Sequence, residues 1–259
     1  MCRMLIAAGE VNVSELLAAA IAMAKDETSL HELNQTEGQG SWIHNDGWGI
    51  AWLEGEEWKS FKSTTAIFAD PEVAQFTTLK TQYVMIHIRK RMGSETAIEN
   101  THPFHLQRND VGNFVFCHNG YAGETFEFCQ SFVPQGKTDS ERLFYSVLSY
   151  MKTEGIHESL SKALAAVDTV TGSNIILANA DKSFIALKEN HYPKYYTMHV
   201  GKSQGSVIIS SEKLATFTST HFRWQEITEG HIISLDHRNL DLQVHKQSTS
   251  TTKTIAGSN

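Results

Sequence analysis

The chain has 259 residues, 41% of them hydrophobic and 20% charged, with 4 prolines, a profile that excludes a disordered, collagen-like or disulfide-stapled protein. Its net charge of −7, from 22 basic and 29 acidic residues, repels phosphate backbones and anionic lipid, so neither nucleic acid nor a membrane is an expected partner. Cys2, Cys117 and Cys129 form an odd set without a C-x-x-C pair, and the longest apolar stretch, Leu16 to Ala24, is too short for a membrane span; a reducing, cytoplasmic setting is expected.

Taken in chain order, residues 3 to 8 read as a strand, and Ser14 is placed to cap an alanine-rich helix running to about Lys25. The polar stretch from Asp26 to Ser41 reads as a loop. His44-Asn45-Asp46-Gly47 is turn chemistry, and residues 48 to 53 and 58 to 63 read as a strand pair across Glu54-Gly55-Glu56-Glu57. Asp70-Pro71 predicts a capped short helix to about Leu79. Tyr83 to Ile88 and Asn113 to His118 are continuous β-prone runs of the kind buried on both faces. Thr138-Asp139-Ser140-Glu141 is a capping box, with Glu141 reaching back, ahead of a helix with Leu143, Phe144, Val147, Leu148 and Met151 on one face. Residues 174 to 178 and 183 to 188 form a predicted hairpin, and 207 to 210, 224 to 227 and 231 to 235 are further short strands. The tail from about residue 247 reads as polar and solvated. Many antiparallel strands without βαβ alternation predict an α+β fold, and no linker divides residues 1–259, which read as a single domain.

The chemistry gathers in four places. If Met1 is removed, as is usual before a small residue, Cys2 carries a thiol and a free α-amine together, a nucleophile with its own base. His118-Asn119-Gly120 follows an apolar strand; Asn119 offers a side-chain N–H₂ and Gly120 an unshielded backbone N–H, two donors that can converge on an oxyanion, although Asn-Gly by itself equally suits a hairpin turn. Arg89, at the end of the run Tyr83 to Ile88, can hold a carboxylate. Asp139, in the first turn of its helix, can accept an ammonium group or simply complement the helix dipole. A molecule with a carboxylate, an ammonium and a carbonyl open to attack meets all four, and glutamine is such a molecule.

These residues resemble the class II glutamine amidotransferase domains of the N-terminal nucleophile hydrolases, and most of all the stand-alone members that begin Met-Cys-Arg-x-Leu. The stretches that carry the resemblance are Met1-Cys2-Arg3-Met4-Leu5, His44 to Ala51, His87-Ile88-Arg89 with Asn100-Thr101-His102-Pro103-Phe104, Phe116 to Gly120, Thr138 to Glu141 and Ser210-Ser211-Glu212. The resemblance implies a four-layer αββα sandwich with two mainly antiparallel sheets. It also implies Cys2 as nucleophile, Asn119 and Gly120 as oxyanion hole, Arg89 and Asp139 on the substrate carboxylate and ammonium, and His102 shaping the site. The reaction would pass through a γ-glutamyl thioester and release ammonia, open to capture by an accepting enzyme in trans, with no cofactor and no metal. After the arginine, the synthase-linked members usually carry Trp, a Thr-His pair and Gly, whereas Lys90, Arg91 and Met92 stand here before Gly93. That departure leaves room for a γ-glutamyl amide larger than glutamine, as in the relatives that trim γ-glutamyl groups in thiol-histidine biosynthesis.

Two other readings stay open at this level. One is a metal hydrolase built on His102 and His105, although no H-E-x-x-H motif or suitably spaced carboxylate accompanies them. The other is a glutamine-binding module without turnover. Tyr195, Tyr196 and the tryptophans read as packing residues, and Cys117 and Cys129 as inert thiols.

Overall fold

The computed structural model describes residues 1–34, 36–123, 126–167, 171–188, 191–227 and 229–247. Two sheets form its centre, and every strand pairing is antiparallel. The first has the order β11 (Arg223–Glu226), β9 (His199–Lys202), β10 (Ser206–Ser210), β1 (Arg3–Gly9), β4 (Tyr83–Ile88), β2 (Trp48–Glu54) and β3 (Glu57–Ser63). The second has the order β13 (Leu242–Lys246), β12 (His231–Asp236), β8 (Lys182–Lys188), β7 (Ser173–Ala178), β6 (Gly112–Gly120) and β5 (Phe104–Arg108). Helix α1 (Val13–Ala24) and a 3-10 turn at Pro71–Phe76 cover the outer face of the first sheet. Helices α2 (Asp139–Tyr150) and α3 (Ile156–Ala166) cover the outer face of the second. This is the expected αββα arrangement.

Side-chain parity along the strands decides which residues meet between the sheets. On β1, Leu5 and Ala7 pack against α1, while Met4, Ile6 and Ala8 enter the inter-sheet core. On β4, Val84, Ile86 and Ile88 face α1, and Tyr83 and Met85 face inward. On β6, Phe114 and Phe116 pack under α2 and α3, and Val115 and Cys117 face inward. Extending each alternation by one step puts Cys2, His87, Arg89 and Asn119 on inward phases. Because β1 runs antiparallel to β4 with Arg3 opposite Ile88, the start of one strand lies beside the end of the other.

Several local details differ from expectation. The α1 cap is Asn12, whose side chain accepts from the Glu15 N–H at 3.4 Å, not Ser14. Asp70 does cap its turn by accepting from the Glu72 N–H at 3.0 Å, but the turn is 3-10 and ends at Phe76. Thr138 caps α2, yet Glu141 does not reach back to it; its carboxylate is taken by the Gln135 and Gly136 N–H groups at 2.8 and 2.7 Å. Strands β5, β9 and β13 and helix α3 add to the elements read from sequence. The predicted tail lies outside the described residues beyond Gln247.

Candidate active site

The start of β1 is fixed from the far end of the chain. The Arg3 guanidinium meets Glu212 at 2.9 Å with both side chains buried, donates to the Tyr195 carbonyl at 2.8 Å and lies 3.9 Å from the centroid of the Tyr195 ring. Ser211 receives the Met4 N–H on its hydroxyl at 3.0 Å, and its own N–H donates to the Met4 carbonyl at 2.9 Å. The late Ser-Ser-Glu stretch thus anchors the residue next to Cys2. Removing one partner of a buried ion pair leaves the other charge uncompensated. Glu212→Ala is therefore expected to cost about 3–5 kcal/mol, read from urea unfolding midpoints.

Cys2 lies 8% exposed at the mouth of the inter-sheet core. Its N–H donates to Asn119 Oδ1 at 2.6 Å, its thiol faces the Lys90 carbonyl at 3.8 Å, and its own carbonyl accepts from the Tyr195 hydroxyl at 3.1 Å. The single Tyr195 proton is thereby committed, so His44 Nε2–H donates to the Tyr195 oxygen, at 2.9 Å. The Met1 ammonium donates to the Lys90 carbonyl at 2.8 Å. Burial pushes that ammonium below its ordinary pKa; the charges of Cys2 and Asp139 oppose the shift, and those of Lys90 and Arg89 add to it. Arg89 and Asp139 therefore both act on the space at the amino terminus.

Asn119 and Gly120 are not a hairpin turn. They are the last two residues of β6, opposite Asn174 and Ser173 of β7. With its oxygen turned to Cys2, Asn119 leaves Nδ2 buried and without a hydrogen-bond partner. An unmet buried donor costs about 1–3 kcal/mol, which a bound acceptor would recover. Gly120 has φ +149°, and a Cβ there would stand 2.3 Å from the Gly172 carbonyl oxygen, so only glycine fits.

Arg89 is 3% exposed and already ties two loops together, donating to the Asp46 carbonyl, the Ser94 hydroxyl and the Glu95 carbonyl at 3.2, 2.8 and 3.0 Å. These bonds use three of its five donors and leave two for a ligand. Asp139 accepts from the Ala122 and Ser140 N–H groups at 2.6 and 2.9 Å, which orients its carboxylate at the start of α2.

His102 is buried with both ring nitrogens unpartnered, its ring 4.2 Å from His87 and 4.4 Å from Phe104. His105 instead meets Asn113 Oδ1 at 2.7 Å on an exposed edge, so the two do not converge on one ion. Among the described residues, no group of three or more His, Cys, Asp or Glu side chains is placed to hold a metal. Under Asn119, the His118 ring is held between the Ser140 and Ser173 hydroxyls, both at 2.8 Å, and the His118 carbonyl accepts from His87 Nε2–H at 3.2 Å.

Burial lowers the pKa of His87 to about 3 and of His118 to about 4; at the far end of the sandwich it lowers His237, which bonds Ser183, to about 4. In the unfolded chain each titrates near 6.5, so the unfolded state binds the extra protons from about pH 6.5 down to about 4 for His118 and His237 and about 3 for His87, and stability falls as pH falls through that window. Each of the three is expected to cost about 2 kcal/mol by pH 5, seen as a lower urea midpoint at pH 5 than at pH 7.5.

Two thiols divide differently from expectation. Cys117 is fully buried and burial pushes its pKa up, so it is the inert one. Cys129 is partly exposed, with the Ser131 hydroxyl at 3.2 Å and Lys152 Nζ at 3.5 Å, and these contacts lower its pKa to about 7. Cys129 therefore has the exposure and the lowered pKa that favour the thiolate, which Cys117 lacks.

Tyr195 and Tyr196, read from sequence as packing residues, form with Leu33, Trp42 and Tyr192 the pocket that encloses Met1. Helix α4 (Pro193–Tyr196) presents both tyrosines there. Asn174 donates to the Tyr196 carbonyl at 2.6 Å, linking this wall to the strand opposite Asn119.

Residues 13–188 match the family model described as class II glutamine amidotransferases. Over 139 residues the chain is 35% identical to YafJ, a candidate glutamine amidotransferase of Escherichia coli (strain K12), an alignment covering 50% of this chain and 54% of that protein. Over 149 residues it is 32% identical to a candidate glutamine amidotransferase of Haemophilus influenzae, covering 53% and 50% of the two. The matches thus span about half the length of these relatives. Among solved structures, the glutamine phosphoribosylpyrophosphate amidotransferase of B. subtilis superposes with a TM-score of 0.69 at 14% identity, over 96% of this chain and 50% of that one. A class-II domain protein from Silicibacter pomeroyi superposes with a TM-score of 0.62 at 17% identity, over 95% of this chain and 100% of that one. At these identities the likeness is one of fold.

Proposed function

Because the chain belongs to the class II glutamine amidotransferases, we propose that it hydrolyses a γ-glutamyl amide, glutamine in the first instance, through a thioester on Cys2. In this reading Met1 is removed and the exposed Cys2 α-amine takes the thiol proton, directly or through a water. The sulfur attacks the γ-carbonyl carbon, and a C–S bond forms as the carbonyl oxygen gains negative charge. The Asn119 Nδ2 and Gly120 N–H groups receive that charge. Collapse of the adduct breaks the C–N bond, and the leaving nitrogen takes the proton held by the α-amine. Water then adds to the thioester, the C–S bond breaks, and glutamate leaves with the thiol restored.

Arg89 and Asp139 hold the substrate carboxylate and ammonium in this scheme, and His102 shapes the floor behind them. Residues 1–259 act as one catalytic domain in a reducing cytoplasmic setting, and the ammonia passes to an acceptor in trans or to solvent. The observation that supports the reading best is Asn119, which turns its oxygen to the Cys2 nitrogen and keeps a buried N–H₂ without a hydrogen-bond partner.

The test is site-selective labelling. A diazo-ketone analogue of glutamine is expected to modify Cys2 stoichiometrically in the processed protein, with L-glutamine protecting it, whereas iodoacetamide also modifies Cys129. Peptide mass spectrometry that finds the glutamine analogue on Cys129 and not on Cys2 overturns the proposal.

A further inference from the structure

Met1 occupies a built pocket. Its side chain is 7% exposed and packs with Tyr195 and Tyr196, both 0% exposed, and with Leu33, Trp42 and Tyr192. The loop that carries Leu33 and Trp42 is polar in sequence but pinned internally: the buried Asp26 carboxylate accepts from Asn34 Nδ2, the Gly40 N–H and the Trp42 N–H at 3.0, 2.8 and 3.0 Å. Lys90 Nζ lies 4.5 Å from the Trp42 ring centroid and donates to the Ile43 carbonyl at 2.8 Å, closing the rim. The walls are thus set by the loop and by α4 rather than by Met1 itself.

The position of this pocket follows from the reaction proposed above, on which the inference rests. The leaving nitrogen must come within hydrogen-bond reach, about 3 Å, of the Cys2 α-nitrogen that protonates it. In the unprocessed chain the group bonded to that nitrogen is Met1. Whatever substituent the leaving nitrogen carries is therefore directed into the space that methionine removal vacates, and that space is aromatic, largely apolar and shaped to a thioether side chain.

We infer that the Met1 pocket is a leaving-group subsite, and that the preferred substrate class is a secondary γ-glutamyl amide whose amine bears an aromatic or thioether-sized apolar substituent. The bond changes are those already written, with an amine in place of ammonia: C–S forms, C–N breaks, and the amine departs with the proton from the Cys2 α-ammonium. Ammonia fills none of the pocket, so glutamine forgoes the burial that such a substituent gains.

The test uses the full processed protein, its Cys2 amino terminus confirmed by intact mass, with L-glutamine and γ-L-glutamyl anilide as probes. The anilide is expected to show a kcat/KM at least tenfold above that of glutamine. Trp42→Ala is expected to lower the anilide-to-glutamine ratio at least tenfold, and Leu33→Trp, which fills the pocket instead of opening it, to lower it in the same direction. Glutamine hydrolysis with no anilide preference, or a ratio unmoved by both substitutions, overturns the subsite and leaves the proposed function standing. Hydrolysis of neither probe removes the proposed function and the subsite with it.

Discussion

Cys2→Ala is expected to reduce glutamate release from L-glutamine by at least about 10⁴-fold, on the scale seen when a catalytic nucleophile is removed. Alanine is the informative replacement because it is also small at the second position, so methionine removal proceeds and the α-amine remains. The thiol alone is lost. Arg89 and Asp139 keep their partners, which do not involve the Cys2 side chain, so L-glutamine should still bind in calorimetry. Retained binding with lost turnover supports a nucleophile. Equal rates in the two proteins would favour a binding module with contaminating activity.

Asn119→Asp is expected to lower kcat by about 10²–10³-fold, the usual loss for one oxyanion donor. The replacement is nearly isosteric and keeps an oxygen to accept from the Cys2 N–H, now at 2.6 Å. It exchanges the unpaired N–H₂ for a second carboxylate oxygen, which repels the charge that develops on the substrate. Urea midpoints and labelling of Cys2 by the glutamine analogue serve as controls that the strand end is intact. An unchanged kcat would take Asn119 out of the oxyanion role.

Much of the fold was legible because burial on both faces leaves continuous apolar runs. Strands β4 and β6 have neighbours on both sides within their sheets, and Tyr83 to Ile88 and Asn113 to His118 read accordingly. Edge strands leave weaker marks. In β13 three positions are exposed and the other two only partly buried, so its sequence shows no clear alternation, and α3 has Gly155 at its N-cap and no side-chain cap. Caps were legible as a chemistry but not always as a position: Asn12 and Ser14 both suit the role, and only the backbone path chooses Asn12. Glu141 follows a capping-box pattern, yet two loop N–H groups compete for its carboxylate and win.

The inward phase of Cys2, Arg89 and Asn119 at the strand ends follows from the alternation of β1, β4 and β6, which the sequence displays, whereas Asp139 stands at the start of α2. The roles of Tyr195 and Asp26 do not follow from such a pattern. Tyr195 touches Cys2 across 193 positions of separation, and a tyrosine's pattern does not distinguish a packing ring from a hydroxyl that holds a carbonyl. Asp26 sits in a stretch whose polarity marks a loop, but nothing in that polarity reveals that one carboxylate organises it. The lowered pKa of Cys129 is likewise set by Ser131 and by Lys152, just beyond the end of α2, a contact made by folding.

The anchoring of β1 by Arg3, Glu212 and Ser211 has a mechanical corollary. A strand has only two settings, and sliding it one notch would swing the sulfur of Cys2 from the cleft to the α1 side while leaving most backbone hydrogen bonds re-formable. The ion pair and the paired Ser211 bonds admit one setting only. Sequence changes two hundred positions downstream can therefore silence the thiol without approaching it, by unlatching the strand that aims it.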